Sequence, residues 1–463
     1  MSSKYDVVVV GGGPAGCTAA GVLAKNGKKV LLAEKSDYLG GRNITYQHRG
    51  YTLYLGAHML EDPGSGLTKI LDYLDHTIEH VPANDALPVY ENGRWVPIHE
   101  LYKIDRKEQK KVIEDLVNTD FSEFDKYDNA ALRTWILERS RDEGVIQLFE
   151  FVAMLEALTY HWWEHSASDN LYVRKMHYQE RRMAGYSSWP VGGYPLIFEG
   201  YERGIKKYGG EIRLNTPVRD IIIDDNRRVR GVEVEIGDRT MPNEWPETEV
   251  VEAECVICAV PVWNLFDVIN PVKLPGWYVD KVNIIGRDEN RVCWLGIYAG
   301  SKEPIYQVSP RELAAWWVGP RSGLAGWAFN VNSIDVEASP KGEYLWAAGC
   351  CLDAIYAKDY QLVKRKFHEL NQELEELFPQ YKNTLWRMNY MVYKPSFGII
   401  QKPGLVGTNR PDNYIPGWEG LYFAGDTYKS RGMDSDRAAR SGLTCAELYL
   451  GRRIPEFKDS WRY

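Results

Sequence analysis

Cysteine is scarce in this chain, with 7 among 463 residues. So few, and an odd number, argue against a disulfide framework and for a reducing, cytoplasmic setting. Cys255 and Cys258 have C-x-x-C spacing but lie in the apolar run "VVEAECVICAVPV". Residues three apart on a strand face opposite sides, so this pair cannot share a metal, and no metal site is expected. Cys350 and Cys351 sit in a similar run. Long apolar stretches are missing as well: no run of eighteen exists to span a bilayer, and the N-terminus has no basic segment leading into an apolar one. An excess of positive charge is absent, since 56 Lys and Arg face 64 Asp and Glu for a net charge of −8, which argues against a nucleic-acid surface. The densest basic run, "KIDRKEQKK" from Lys103 to Lys111, is broken by acids and reads as a solvated helix face. No internal repeat or low-complexity tract occurs.

What is present suits an ordinary globular protein with 44% hydrophobic and 26% charged residues. Its length is too great for one core and predicts two interleaved domains. Near the N-terminus, Val7 to Val10 form a β-branched run too apolar for a one-sided strand, which suits a central parallel strand covered on both faces. Gly11, Gly13 and Gly16 follow as G-x-G-x-x-G. The first glycine permits a tight turn, the second lets a pyrophosphate approach the backbone, and the third lets helix and strand pack closely. The stretch "PAGCTAAGVLAKNG", opening with Pro14 and Ala15, has helical spacing and stops at Gly27. Its N-terminus turns free N–H groups toward phosphates. A second strand, "KKVLLAEK", ends on Glu34 and Lys35, where the acid can accept both hydroxyls of an adenosine ribose. These parts together predict a dinucleotide site, with NAD and FAD both allowed.

Two further stretches carry a family resemblance: "YLGGRNITYQHRGYTLYLGAHMLE" and, near the C-terminus, "GLYFAGDTYKSRGMDSDRAARSGLTCAE". With the glycine motif they resemble the FAD-dependent amine oxidase and phytoene desaturase superfamily, which also includes protoporphyrinogen oxidases. The resemblance implies FAD as cofactor. It implies that Gly41 and Arg42 close over the pyrophosphate and ribityl chain, Arg42 offering a fork of donors. It further implies that Gly56, Ala57 and His58 line the isoalloxazine, that Val218 touches the adenine, and that Ala259 ends a strand near the dinucleotide. Gly425 and Asp426 would meet the ribityl or phosphate region. Met433 and Asp434 would start a last helix whose N-terminus faces the flavin N1 and O2 edge. The sequence departs from the family at Tyr54, where many relatives carry Asp.

The fold class expected is α/β, a Rossmann-like FAD-binding domain with a parallel central sheet, interleaved with an α+β substrate-binding domain. Segments 1–75, 186–270 and 405–463 would form the first, and 76–185 and 271–404 the second. The middle segment predicts a helix over Pro195 to Tyr208, a short strand "EIRLN", and a hairpin turning at "DDNRR". Farther on, Val363, Phe367, Leu370, Leu374 and Leu377 make one apolar stripe on a helix ended by Pro379. Only one G-x-G-x-x-G occurs, which speaks against the disulfide reductase plan with its second nucleotide domain.

The activity expected is removal of a hydride from a small apolar organic substrate through flavin N5, as amine oxidation or C–C desaturation, with oxygen or a quinone-like acceptor taking the electrons. Such chemistry asks for a C–H bond roughly 3 to 3.5 Å from N5 in a dry pocket and little else, so no catalytic base can be named. His58, Tyr160 and His161 are the candidates, the last two from "TYHWWEH". That stretch also reads as a packed helix end. The 16 Trp and 30 Tyr suit a polycyclic or unsaturated substrate, core filling or a homo-oligomer interface. Trp386, Tyr393 and Tyr428 are candidates for an aromatic cage. Two other readings stay open: a redox-neutral isomerase or hydratase, and a non-enzymatic lipid binder like the Rab escort and GDI proteins.

Overall fold

The computed structural model describes residues 5–58, 66–82, 88–91, 93–157, 164–179, 188–237, 245–306, 314–318, 321–392 and 398–458. The opening strand, Tyr5–Val10, lies at the middle of a seven-stranded sheet. It pairs in parallel with Val30–Ala33 on one side and Glu247–Cys258 on the other. Glu211–Arg213 extends the parallel part beyond Val30–Ala33, and Leu421–Phe423 adds to Glu247–Cys258. The outer half of Glu247–Cys258 pairs antiparallel with a hairpin of Val218–Ile223 and Val229–Ile236.

Both faces of this sheet are covered, which is why its central strand is apolar throughout. Val7 and Val9 join one core with the helices Pro14–Lys25, Gly66–Tyr73, Pro195–Lys207 and Asp434–Leu450. Tyr5, Val8 and Val10 join another, shared with the hairpin and the helix Gly276–Ile285. Cys255 and Cys258 fall into these two different cores, so the C-x-x-C spacing splits across the sheet.

A second seven-stranded sheet is antiparallel except for one pair. Its order is Trp386–Val392, Val292–Ser301, Tyr344–Asp353, Ala325–Asn330, Ala314–Val318, Pro88–Glu91, Arg94–Pro97. The helix Tyr360–Leu377 lays Val363, Leu370, Leu374 and Leu377 on one face of it, with Phe367 partly buried beside them. Cys350 and Cys351 again divide between its two faces. The basic run begins a helix, Arg106–Asn118, capped by Asp105 and burying only Val112 and Leu116. With Leu132–Leu137, Glu143–Ala157 and Ala167–Gln179 it builds a helical cluster with its own core. Among the described residues no helix is long and apolar enough to cross a membrane.

Candidate functional site

The glycine turn divides its duties among three positions. Gly11 has φ +100°, and a Cβ there would lie 3.0 Å from the Ala259 carbonyl oxygen. Gly16 is required for packing, because its Cβ would stand 1.9 Å from the Gly11 oxygen. Gly13 differs: the nearest atom to its Cβ would be the Gly41 Cα at 4.0 Å, so its open face borders a gap and not the core. Gly13 caps the first helix without any side-chain hydrogen bond, and Pro14 occupies its first turn. The first-turn amides therefore stay free for an anion. Glu34 is buried, accepting from the Gly12 amide at 2.6 Å and the Ser36 amide at 2.8 Å, while Lys35 beside it is exposed.

The G-G-R loop folds back over this turn. Its Gly40 amide donates to the Gly12 carbonyl at 2.8 Å, and a Cβ on Gly41, at φ +62°, would lie 3.2 Å from the Gly13 Cα. Gly56 packs against the same loop, since a Cβ would lie 2.7 Å from the Arg42 oxygen, and the Ala57 amide donates to the Asn43 side chain at 3.0 Å. Arg42 reaches Asp426 at 2.5 Å. Burial alone would raise the Asp426 carboxyl, but Arg42, with Arg410 and Arg437, holds it below its ordinary value. Gly425, at φ +146°, donates its amide to the Ser441 hydroxyl at 3.0 Å, which fixes the turn carrying Asp426. Val218 is buried at the start of the hairpin.

His58 is 7% exposed, and its Nδ1 has no hydrogen-bond partner among the described residues. Its ring stands edge-on to Trp327 at 5.4 Å and Phe329 at 5.2 Å, both on the second sheet. Burial pushes its pKa down to about 3, so it is a neutral imidazole at physiological pH and a weak base. Tyr54 also stands edge-on to the His58 ring at 6.4 Å, donating its hydroxyl to Asp335 while its amide donates to the Tyr298 hydroxyl at 3.0 Å. Of the cage candidates, Trp386 packs with the second sheet and Tyr428 with the first. Tyr160, His161 and Tyr393 lie outside the described residues.

The last helix, Asp434–Leu450, starts after Met433 in extended conformation and has no side-chain cap. Its close approach to the first helix depends on Gly442, whose Cβ would sit 2.2 Å from the Ala15 oxygen. Just before it, Arg431 bridges Asp128 at 2.7 Å and Asp169 at 3.1 Å, all three buried. Arg437 pairs with the same Asp169 and with the Gly432 carbonyl. Arg410, fully buried, donates to the carbonyls of Leu405, Ile399 and Asp426. Sequence reasoning missed Asn43, Ser441, Arg410 and this ionic network, because no motif spacing joins residues contributed by separate elements. The one available signal was the density of arginines in "KSRGMDSDRAAR".

Residues 9–76 match the NAD(P)-binding Rossmann-like domain family. The chain is 28% identical over 228 residues to an L-amino-acid oxidase of Naja atra, covering 43% of this chain and 44% of that protein. It is 22% identical over 270 residues to the 4,4'-diapophytoene desaturase (4,4'-diapolycopene-forming) of a Methylomonas species, covering 51% and 52%. Against wild-type putrescine oxidase bound to putrescine, the structure superposes with a TM-score of 0.67 over 98% of this chain and all of that one, at 16% identity. The chain has the amine oxidase fold. The resemblance drawn from the motifs is thus borne out, and the α/β class with it. The fold is shared more widely: a probable secretory pathway GDP dissociation inhibitor 1 of Schizosaccharomyces pombe is 26% identical over 342 residues, 64% of this chain and 69% of that protein. The chain spans about half the length of the oxidase and desaturase relatives that it matches.

Proposed function

We propose that the protein is an FAD-dependent oxidoreductase that removes a hydride from an apolar organic substrate, by amine oxidation or C–C desaturation. The observation that carries the reading is the open face of Gly13, where a Cβ would meet nothing nearer than the Gly41 Cα at 4.0 Å, beside helix amides without a side-chain cap. Its residues suit FAD: anion-binding amides at Ala15 and Gly16, a buried acid at Glu34, a cation at Arg42, and a helix start at Met433 and Asp434. When bound, FAD would supply the hydride acceptor. The chain's own part is to hold the cofactor by backbone amides, keep His58 neutral, and exclude water with the Trp327 and Phe329 wall. In this reading segments 1–75, 186–270 and 405–463 bind cofactor, and 76–185 and 271–404 bind substrate, with oxygen or a quinone-like molecule as acceptor.

The test is to purify the protein with added FAD, then expose it anaerobically to amines and polyenes. Retained yellow colour that bleaches with one class supports the proposal; a colourless protein that takes up no flavin overturns it. The extended match to a GDP dissociation inhibitor favours a second reading, a lipid-binding protein without redox activity. A flavin-free protein that binds prenylated peptide would establish that reading instead.

A further inference from the structure

Trp316 and Trp327 are direct cross-strand neighbours in the second sheet, so their rings share one face. Gly349, which pairs with Trp327 from the next strand, shapes that face, because a Cβ there would stand 2.2 Å from the Trp294 ring. Trp294 fills the space over Gly349 and meets Trp327 at 5.6 Å. Around Trp327 also stand Trp316 at 6.2 Å, Trp189 of the strand Ser188–Pro190 at 6.1 Å, and His58 at 5.4 Å. The Nδ1 of His58 and the Nε1 of Trp189, Trp316 and Trp327 have no hydrogen-bond partner among the described residues, although each residue is between 0% and 7% exposed. The same face can satisfy an indole, since Trp294 donates to the Tyr390 hydroxyl at 3.3 Å. Trp317 and Trp346 on the opposite face also lack partners, but they sit in the core under the helix Tyr360–Leu377. What sets the Trp327 cluster apart is His58, brought from the loop after the strand Tyr51–Tyr54. Buried donors without acceptors are costly, and several around one ring point to an occupant that supplies the acceptors.

We infer that Trp189, Trp316 and Trp327 form a substrate-recognition face, and that it takes a flat, unsaturated, uncharged compound whose carbonyl or ether oxygen accepts from their indole N–H groups. Taking the occupant as substrate rests on the FAD reading above, with a cofactor in the cradle at Gly13 and His58 against its ring system. An indole N–H only donates, so it cannot receive the N–H of an ammonium group. A buried cation would gain nothing from these donors and would carry the full cost of leaving water. The ring surface that could attract a cation is already engaged at Trp327, which is stacked on Phe329 at 5.1 Å. A conjugated skeleton packs on the rings that remain, and its oxygen meets the N–H groups. Of the two chemistries proposed above, this face suits desaturation of a neutral, oxygen-bearing compound and not oxidation of an amine.

The experiment titrates the FAD-loaded protein with 9-fluorenone, fluorene and 9-aminofluorene, flat tricycles that differ in carrying a carbonyl, a methylene or an ammonium group. Binding is read from the flavin absorbance and from tryptophan fluorescence. Fluorenone should bind about tenfold more tightly than either of the others, as one buried hydrogen bond allows. Trp189→Phe, Trp316→Phe and Trp327→Phe each keep a ring and remove the donor. At least one of them should bring the ratio of fluorenone to fluorene affinity close to one, which separates the lost hydrogen bond from any lost packing. A preference that survives in all three variants, an equal or tighter hold on fluorene or aminofluorene, or binding of none of the three compounds overturns the inference. Should a variant fail to fold, the carbonyl stretch of fluorenone bound to the wild type decides. A band below its position in hexane supports the inference, and an unshifted band overturns it. A protein that takes up no flavin removes the oxidoreductase reading, and the same titration followed by fluorescence alone then still judges the recognition face.

Discussion

The guanidinium of Arg42 and the carboxylate of Asp426 lie 2.5 Å apart although 384 residues separate them in the chain. The pair joins the loop after the second strand to the turn after the last one, and we propose both members as residues that hold the cofactor. It also neutralises a buried acid that would otherwise oppose folding. Replacing Arg42 with Ala strands Asp426, and the expected loss is about 1–3 kcal/mol in urea denaturation of the flavin-free protein. Asp426→Asn, which leaves a neutral acceptor, should cost less. A larger loss for Asp426→Asn would contradict the pairing.

Gly13 and Gly16 should respond in opposite ways. Gly13→Val has room in the protein itself and should unfold near the wild-type midpoint, yet take up no FAD. Added FAD at 100 times its dissociation constant should then stabilise the wild type by about 2.7 kcal/mol and the variant not at all. Gly16→Ala meets the Gly11 carbonyl and should fail to fold. A Gly13→Val protein that purifies with full flavin would refute the cradle.

The Arg431, Asp128, Asp169 and Arg437 network ties the helical cluster to the start of the last helix. Asp169→Asn removes the carboxylate shared by two buried arginines and should cost about 3–5 kcal/mol. Thermal or urea unfolding measures it. An unchanged midpoint would mean that water or rearrangement satisfies both arginines.

His58 and His165 are both buried, and burial holds each pKa down to about 3. A histidine depressed in the folded state adds stability above its unfolded value near 6.5, and that stability is lost as pH falls toward the folded value. Acid unfolding should therefore set in below about pH 6.5. His58→Gln together with His165→Gln should flatten that limb of the curve. An identical acid limb in the double variant would show that other groups carry the sensitivity.

Asp434 acts with the opposite sign. Its pKa is raised, so the stability of the flavin-free protein should be full in acid and fall as pH rises through about 7. Asp434→Asn should remove that fall. Denaturation midpoints at pH values on either side of neutrality provide the check.

Local patterns made much of the fold readable. The alternating neighbours of Val7 to Val10, the glycine spacing, the helix from Pro195, the hairpin at Asp224 and the Val363 to Leu377 stripe all declare their structure within a few residues. The split of Cys255 and Cys258 across the sheet follows from strand geometry alone. Around the glycine turn, Gly16 packs on Gly11, Gly11 on Ala259, and Glu34 accepts from the Gly12 amide. Other features have no local pattern. Ser441 under Gly425, Arg410 among backbone carbonyls and Asp169 between two arginines each depend on partners from distant segments.

By itself, then, the sequence determined what short-range sterics and periodic hydrophobicity control: a strand, a glycine turn and a helix that together face an anion, and which sides of the elements are apolar. Tertiary structure alone decided which charges meet, that Arg42 turns to Asp426, and that His58 is walled in by Trp327 and Phe329. The physical reason is reach. Backbone geometry and apolar periodicity act over a few residues, whereas burial and Coulomb forces depend on distances that only the folded chain brings into being.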